Sequence, residues 1–166
     1  LASDESIAPV SAGVVVPGNQ AIDAVHRQRR AAALFHPYHR AIADVLDERS
    51  AAGQRSLVLS VHSFTPVLHG SRRPWHVGFC YGRDSRLARL LIDDVAGDAG
   101  VVVGNNQPYR VDDSSDYTLP VHGEQRGLPH VLIEIRQDLL TSAAGCAGWA
   151  ERLAAAYRRS AAALLA

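Results

Sequence analysis

The sequence predicts an α/β domain with a mostly parallel or mixed central sheet, and three observations carry that expectation. Short apolar runs of strand length alternate with segments of helical periodicity. From about Ala147 to Leu165 the chain places Trp149, Leu153, Ala156 and Tyr157 at helical spacing, an amphipathic helix suited to packing on a sheet. Across the 166 residues 47% are hydrophobic, which suits one domain with a real core. A single domain over residues 1–166 is therefore expected, with residues 1–20 as an irregular lead-in.

In that lead-in Pro9, Gly13, Pro17, Gly18 and Asn19 interrupt any periodicity, and Pro17-Gly18 is a turn signal. From Ala21 to about Ala52 the residues turn Ala-, Arg- and Leu-rich. Ile22, Val25, Ala32, Leu34 and Phe35 recur there at near-helical intervals. Pro37 is expected to start a second helical piece or kink the first, and Gly53 to close it. Ser56 to His62 is too short for a helix and reads as a buried strand ending at His62. Trp75 to Tyr81 reads as a second strand. Ser85 is placed to cap a helix from Arg86 to Val95 that carries Leu87, Leu90 and Leu91 on one face. Val101 to Val103 and His130 to Ile135 complete the set of strands.

Charge and composition narrow the function classes. Seventeen basic residues balance seventeen acidic ones, so no field of either sign draws nucleic acid or an anionic membrane. No apolar run approaches the roughly 20 residues needed to span a bilayer. Cys80 and Cys146 stand at neither a metal-type nor a redox-type spacing, which suits a reducing cytoplasm. A small-molecule partner is the natural expectation; nothing in the pattern specifies an oligomeric state.

The strongest local oddity is the run from His130 to Asp138. Strand alternation there puts Val131, Ile133 and Ile135 on one face, and Leu132, Glu134 and Arg136 on the other. An ionised pair is costly to bury, so Glu134 and Arg136 mark either a structural salt bridge or an active site. His62 sits where an apolar strand gives way to a polar loop. Ligands collect at the carboxyl ends of strands in open α/β sheets, and neutral imidazole is a common zinc ligand; a hydrogen-bonded, partly buried histidine is the plainer alternative. Ser63 does not make a Ser-His hydrolase, because neighbours on a strand point to opposite faces and no GxSxG elbow is present. The segment Asn105 to Arg110 concentrates amides, a phenol and a guanidinium suited to a carboxylate, or forms an ordinary turn around Pro108. His36 and His39 read as a packing or capping pair. His122 and the stretch from Ser71 to His76 fall on loops with reactive side chains.

Taken together, these segments resemble the N-formylglutamate amidohydrolase family. The resemblance starts at Val16-Pro17-Gly18-Asn19. It continues through Phe35-His36-Pro37-Tyr38-His39, Val61-His62-Ser63-Phe64-Thr65-Pro66, Pro74-Trp75-His76-Val77-Gly78, Asn106-Gln107-Pro108-Tyr109, Gly127-Leu128-Pro129-His130 and Ile133-Glu134-Ile135-Arg136-Gln137-Asp138-Leu139, all in order. It implies a three-layer αβα, phosphorylase/hydrolase-like fold and a Zn2+-dependent hydrolase that cleaves the amide of N-formyl-L-glutamate or a similar N-acyl amino acid. On this resemblance His62 is a metal ligand and Glu134 the catalytic carboxylate. Arg136, on the same face, is then a candidate to stabilise the oxyanion, to orient Glu134 or to clamp a substrate carboxylate. Asn106, Tyr109, Arg110 and His122 are candidates to bind the substrate.

The family's first metal-binding segment, a histidine with a nearby acidic residue, has no counterpart in these 166 residues. The chain opens on Leu1 and holds no methionine, so the remaining zinc ligands are expected upstream. Two other readings stay open: a zinc hydrolase of a different N-acyl acidic amino acid or small peptide, and a catalytically incomplete binding domain.

Overall fold

The computed structural model describes residues 4–11 and 13–165. Residues 1–3 and 12 of the predicted lead-in lie outside that range. The backbone gathers into two compact units that divide after Gln54.

The first unit opens with a 3-10 turn at Asp4–Ile7 and a small antiparallel hairpin, β1 (Val10–Ser11) with β2 (Val14–Val15). The helical stretch is one rod in three parts: α1 (Ala24–Arg30), a π turn over Ala31–Phe35, and α2 (His36–Ala51). Asp23 caps α1 by accepting from the His26 N–H. Proline at the start of α2 lacks an N–H and crowds the preceding turn. The chain answers with a wider i→i−5 bond, His36 N–H to Ala31 O, instead of a break. Phe35 packs on His36 and His39 with ring centroids at 5.5 and 4.3 Å, so the two histidines are a packing pair, as expected.

The second unit is a mixed four-stranded sheet with helices. Its strands are β3 (Val58–Phe64), β6 (Val77–Cys80), β7 (Val103–Asn105) and β8 (His130–Arg136), in the order β3-β8-β6-β7. A separate small hairpin, β4 (Val67–Leu68) with β5 (Ser71–Arg72), bridges β3 and β6 in the chain. β8 runs parallel to β3 and antiparallel to β6, while β7 runs parallel to β6. The mixed sheet is therefore as predicted, although β3 continues past His62 to Phe64.

One face of the sheet is the core. Val77 and Phe79 of β6 with Val131, Ile133 and Ile135 of β8 pack against Leu87, Ala88, Leu91 and Val95 of α3 (Arg86–Val95) and Trp149 and Ala156 of α4 (Ala143–Leu165). Each large side chain removed from water there stabilises by roughly 1.5–3 kcal/mol. Ser85 takes the expected N-cap position of α3 without bonding through its side chain, and Asp84 Oδ1 instead accepts the Arg86 N–H. Both long helices of this unit, α3 and α4, lie on that one face.

Candidate active site

Strand register builds a single row across the face opposite α3 and α4. His62 pairs with Glu134, Glu134 with Gly78, and Gly78 with Gly104. Directly paired residues project to the same side of a sheet, so this row lies opposite the Ile133 face. His62 is exposed at one end, and Glu134 is 4% exposed in the middle.

The two glycines are there because backbone lies on top of them. A Cβ at Gly78 would sit 1.8 Å from the Gln107 carbonyl oxygen, and one at Gly104 would sit 2.6 Å from the same atom. The chain leaving β7 turns back over β6 through Asn106, which adopts φ 49°. Its N–H donates to Phe79 O, and its Oδ1 accepts from the Tyr81 N–H at 2.8 Å. The Gln107-Pro108 bond is cis, and Tyr109 and Arg110 follow, both exposed.

Glu134 has the electrostatics of a proton carrier. No hydrogen bond reaches its buried Oε2. Burial pushes its pKa up to about 7; the positive charge of Arg73 pulls against this, and the negative charge of Asp116 adds to it. Arg73 itself is 8% exposed. Its guanidinium lies 5.8 Å from the Phe64 ring centroid and 5.1 Å from that of Tyr109, and its Nη1 donates to the Tyr109 hydroxyl at 2.9 Å.

Sequence reasoning counted Arg73 only as part of a basic loop, because nothing local shows that the β4–β5 hairpin turns it inward. Its position just before Pro74-Trp75 in a family segment was the available signal.

The predicted site residues separate on inspection. Arg136 shares the Glu134 face, but its guanidinium bonds to the Asp138 carboxylate at 2.8 and 3.2 Å and to the carbonyls of Pro74 and Trp75. The positive charge that lowers the Glu134 pKa is that of Arg73. Asn106 shapes the corner over β6, and Tyr109 meets Arg73. Arg110 lines a cavity of about 370 Å³ with Arg83, Asp113 and Glu124. His122 is buried in a π turn, Pro120–Glu124, near the Tyr117 ring. Burial and the charge of Arg126 lower its pKa.

His62 is the imidazole that register brings beside Glu134. A catalytic zinc takes three protein ligands, and among the described residues no three His, Cys, Asp or Glu side chains gather where they could hold an ion. The residues present do not by themselves fit a zinc site.

The sequence profile of the N-formylglutamate amidohydrolase family matches residues 2–141. The chain belongs to this family. A solved gene product of Agrobacterium tumefaciens is 33% identical and superposes with a TM-score of 0.92 over 99% of this chain and 65% of its own. An N-formylglutamate amidohydrolase from Ralstonia eutropha is 18% identical with a TM-score of 0.55, a likeness of fold, covering 76% of this chain and 51% of its own. The chain thus spans less than two thirds of either relative. No curated protein sequence matches it. Four of the N-formylglutamate amidohydrolase segments that carried the resemblance meet on one sheet face, through His62, Gly78, Gln107-Pro108 and Glu134.

Proposed function

We propose that this chain forms the proton-transfer half of an enzyme that hydrolyses the amide bond of an N-acyl amino acid, N-formyl-L-glutamate first, to formate and L-glutamate. The observation that carries this reading is Glu134: a buried carboxyl with an unbonded oxygen and a pKa pushed up to about 7. A carboxyl in the ordinary range is a poor base near neutrality; one at about 7 is ionised often enough to act and basic enough to take a proton. Glu134 takes a proton from the attacking water and passes it to the leaving amine nitrogen. Arg136 supports the reaction by tying the end of β8 to the Pro74-Trp75 backbone, and Tyr109 meets the substrate from the segment above Gly78.

We place His62 as one ligand of the Zn2+ that the family resemblance calls for. The described residues do not complete that set, so no proton step is derived through the ion. The unfilled set also supports a second reading, in which the chain binds an acylated amino acid without turning it over. Formate release by the full-length protein separates the two. Glu134→Gln should lower kcat by about 10²–10⁴-fold while leaving the fold in place. Full turnover in that variant would remove Glu134 as the base. Activity on every acyl group except formyl would shift the substrate to another N-acyl amino acid.

A further inference from the structure

Arg73 carries its charge into the interior with little to balance it. It is 8% exposed, and one guanidinium N–H donates to a neutral hydroxyl, that of Tyr109. Two ring faces stabilise the cation in part. Among the described residues no carboxylate forms an ion pair with it. A guanidinium offers five N–H donors, and leaving a buried charge unpaired is costly. Glu134 feels the Arg73 charge but does not bond to it. A buried cation with spare donors and a buried acid with a spare oxygen therefore share one face of the sheet without satisfying each other.

Register places the ring beneath Arg73 relative to Glu134. Phe64, beneath the guanidinium, lies two residues beyond His62, the partner of Glu134. At roughly 3.3 Å per residue this is about 7 Å along the sheet. In an N-acyl amino acid a carboxylate lies only a few bonds from the acyl carbon.

We propose that Arg73 receives a carboxylate of the substrate, with the Tyr109 hydroxyl and the Phe64 ring holding its guanidinium in aim. Arg73 is then a specificity-determining residue and Tyr109 a positioning one. A guanidinium fork accepts a carboxylate through two parallel charge-assisted hydrogen bonds, which supplies the counter-charge that the fold omits. Asp138 already occupies the equivalent fork of Arg136, so Arg136 is not free for this task. The proposal rests on reading Glu134 as the base for an acylated amino acid.

The test is calorimetric binding to full-length protein in a Glu134→Gln background, using N-formyl-L-glutamate, N-formyl-L-glutamine and the α-amide of N-formyl-L-glutamate. Arg73→Ala should weaken N-formyl-L-glutamate by about tenfold or more, as expected for hydrogen bonds to a charged group. It should cost far less for whichever analogue lacks the carboxylate that Arg73 holds, and added guanidinium ion should restore part of the loss. Tyr109→Phe, which keeps every charge and the ring, should show the same ligand pattern at smaller amplitude. Equal weakening of all three ligands, or none in either variant, would overturn the proposal. Formate appearing during titration of the Glu134→Gln protein would instead count against the base assignment, and the Arg73 comparison then stands on L-glutamate binding.

Discussion

His62 and Glu134 are register partners on adjacent parallel strands, β3 and β8, so their side chains leave the sheet on the same face with backbones about 4.8 Å apart. One is exposed and the other buried. That contrast places a solvent-accessible imidazole beside a carboxyl removed from water.

The first prediction concerns rate against pH. On the proposal that Glu134 is the base, it acts only when ionised; with its pKa held at about 7, kcat/KM should rise through about pH 7 and level above it. The Arg73 charge pulls that value down, and Arg73→Ala should move the rising limb to higher pH. A limb at the ordinary glutamate value of 4.5, unmoved by the variant, would show that another group titrates.

Stability should follow the same group. The folded state holds the Glu134 proton more tightly than the unfolded chain does, so its contribution is complete below pH 4.5. It declines as pH rises through about 7, and the folded state is penalised at higher pH. Glu134→Gln should therefore match the parent below pH 4.5 and exceed it above pH 7, by up to roughly 3 kcal/mol. Urea unfolding at pH 4.5 and pH 8 measures the difference; an identical gain at both would mean that burial of charge is not its source.

Gly78 is the most constrained position in the row. Gly78→Ala drives a methyl to 1.8 Å from the Gln107 carbonyl oxygen, so the segment carrying Pro108 and Tyr109 has to lift. We expect destabilisation of about 1–3 kcal/mol and loss of activity beyond what that destabilisation explains. A variant with full activity and an unchanged melting temperature would show that the segment yields freely.

His62→Ala should leave the melting temperature of the metal-free protein within a degree or two, because the side chain is exposed and packs little. If His62 is a zinc ligand, the same change should remove tightly held zinc from the full-length protein, as read by elemental analysis. Unaltered zinc content would locate the metal elsewhere.

Much of the fold was legible because its periodicity is local. The α3 boundaries follow from Leu87 and Leu91 recurring one turn apart, and β8 from the β-branched run around Ile133. Ser85 does stand at the N-cap but makes no side-chain bond; Asp84, one residue earlier, accepts the Arg86 N–H and grips its guanidinium at 2.7 Å, which no local pattern shows. The shared face of Glu134 and Arg136 was legible too, but not their division of labour. That depends on Pro74 and Trp75, which come within reach of Arg136 only through tertiary contact.

The sequence by itself determined the α/β class, the family and the candidacy of Glu134 and His62, since alternation and motif order are properties of neighbouring residues. Only the tertiary structure decided that His62, Glu134, Gly78 and Gly104 form one row, that a carbonyl lies against Gly78, and that the charge of Arg73 reaches the Glu134 carboxyl. Each of these depends on strand register and on desolvation, and neither exists until distant segments pack and exclude water.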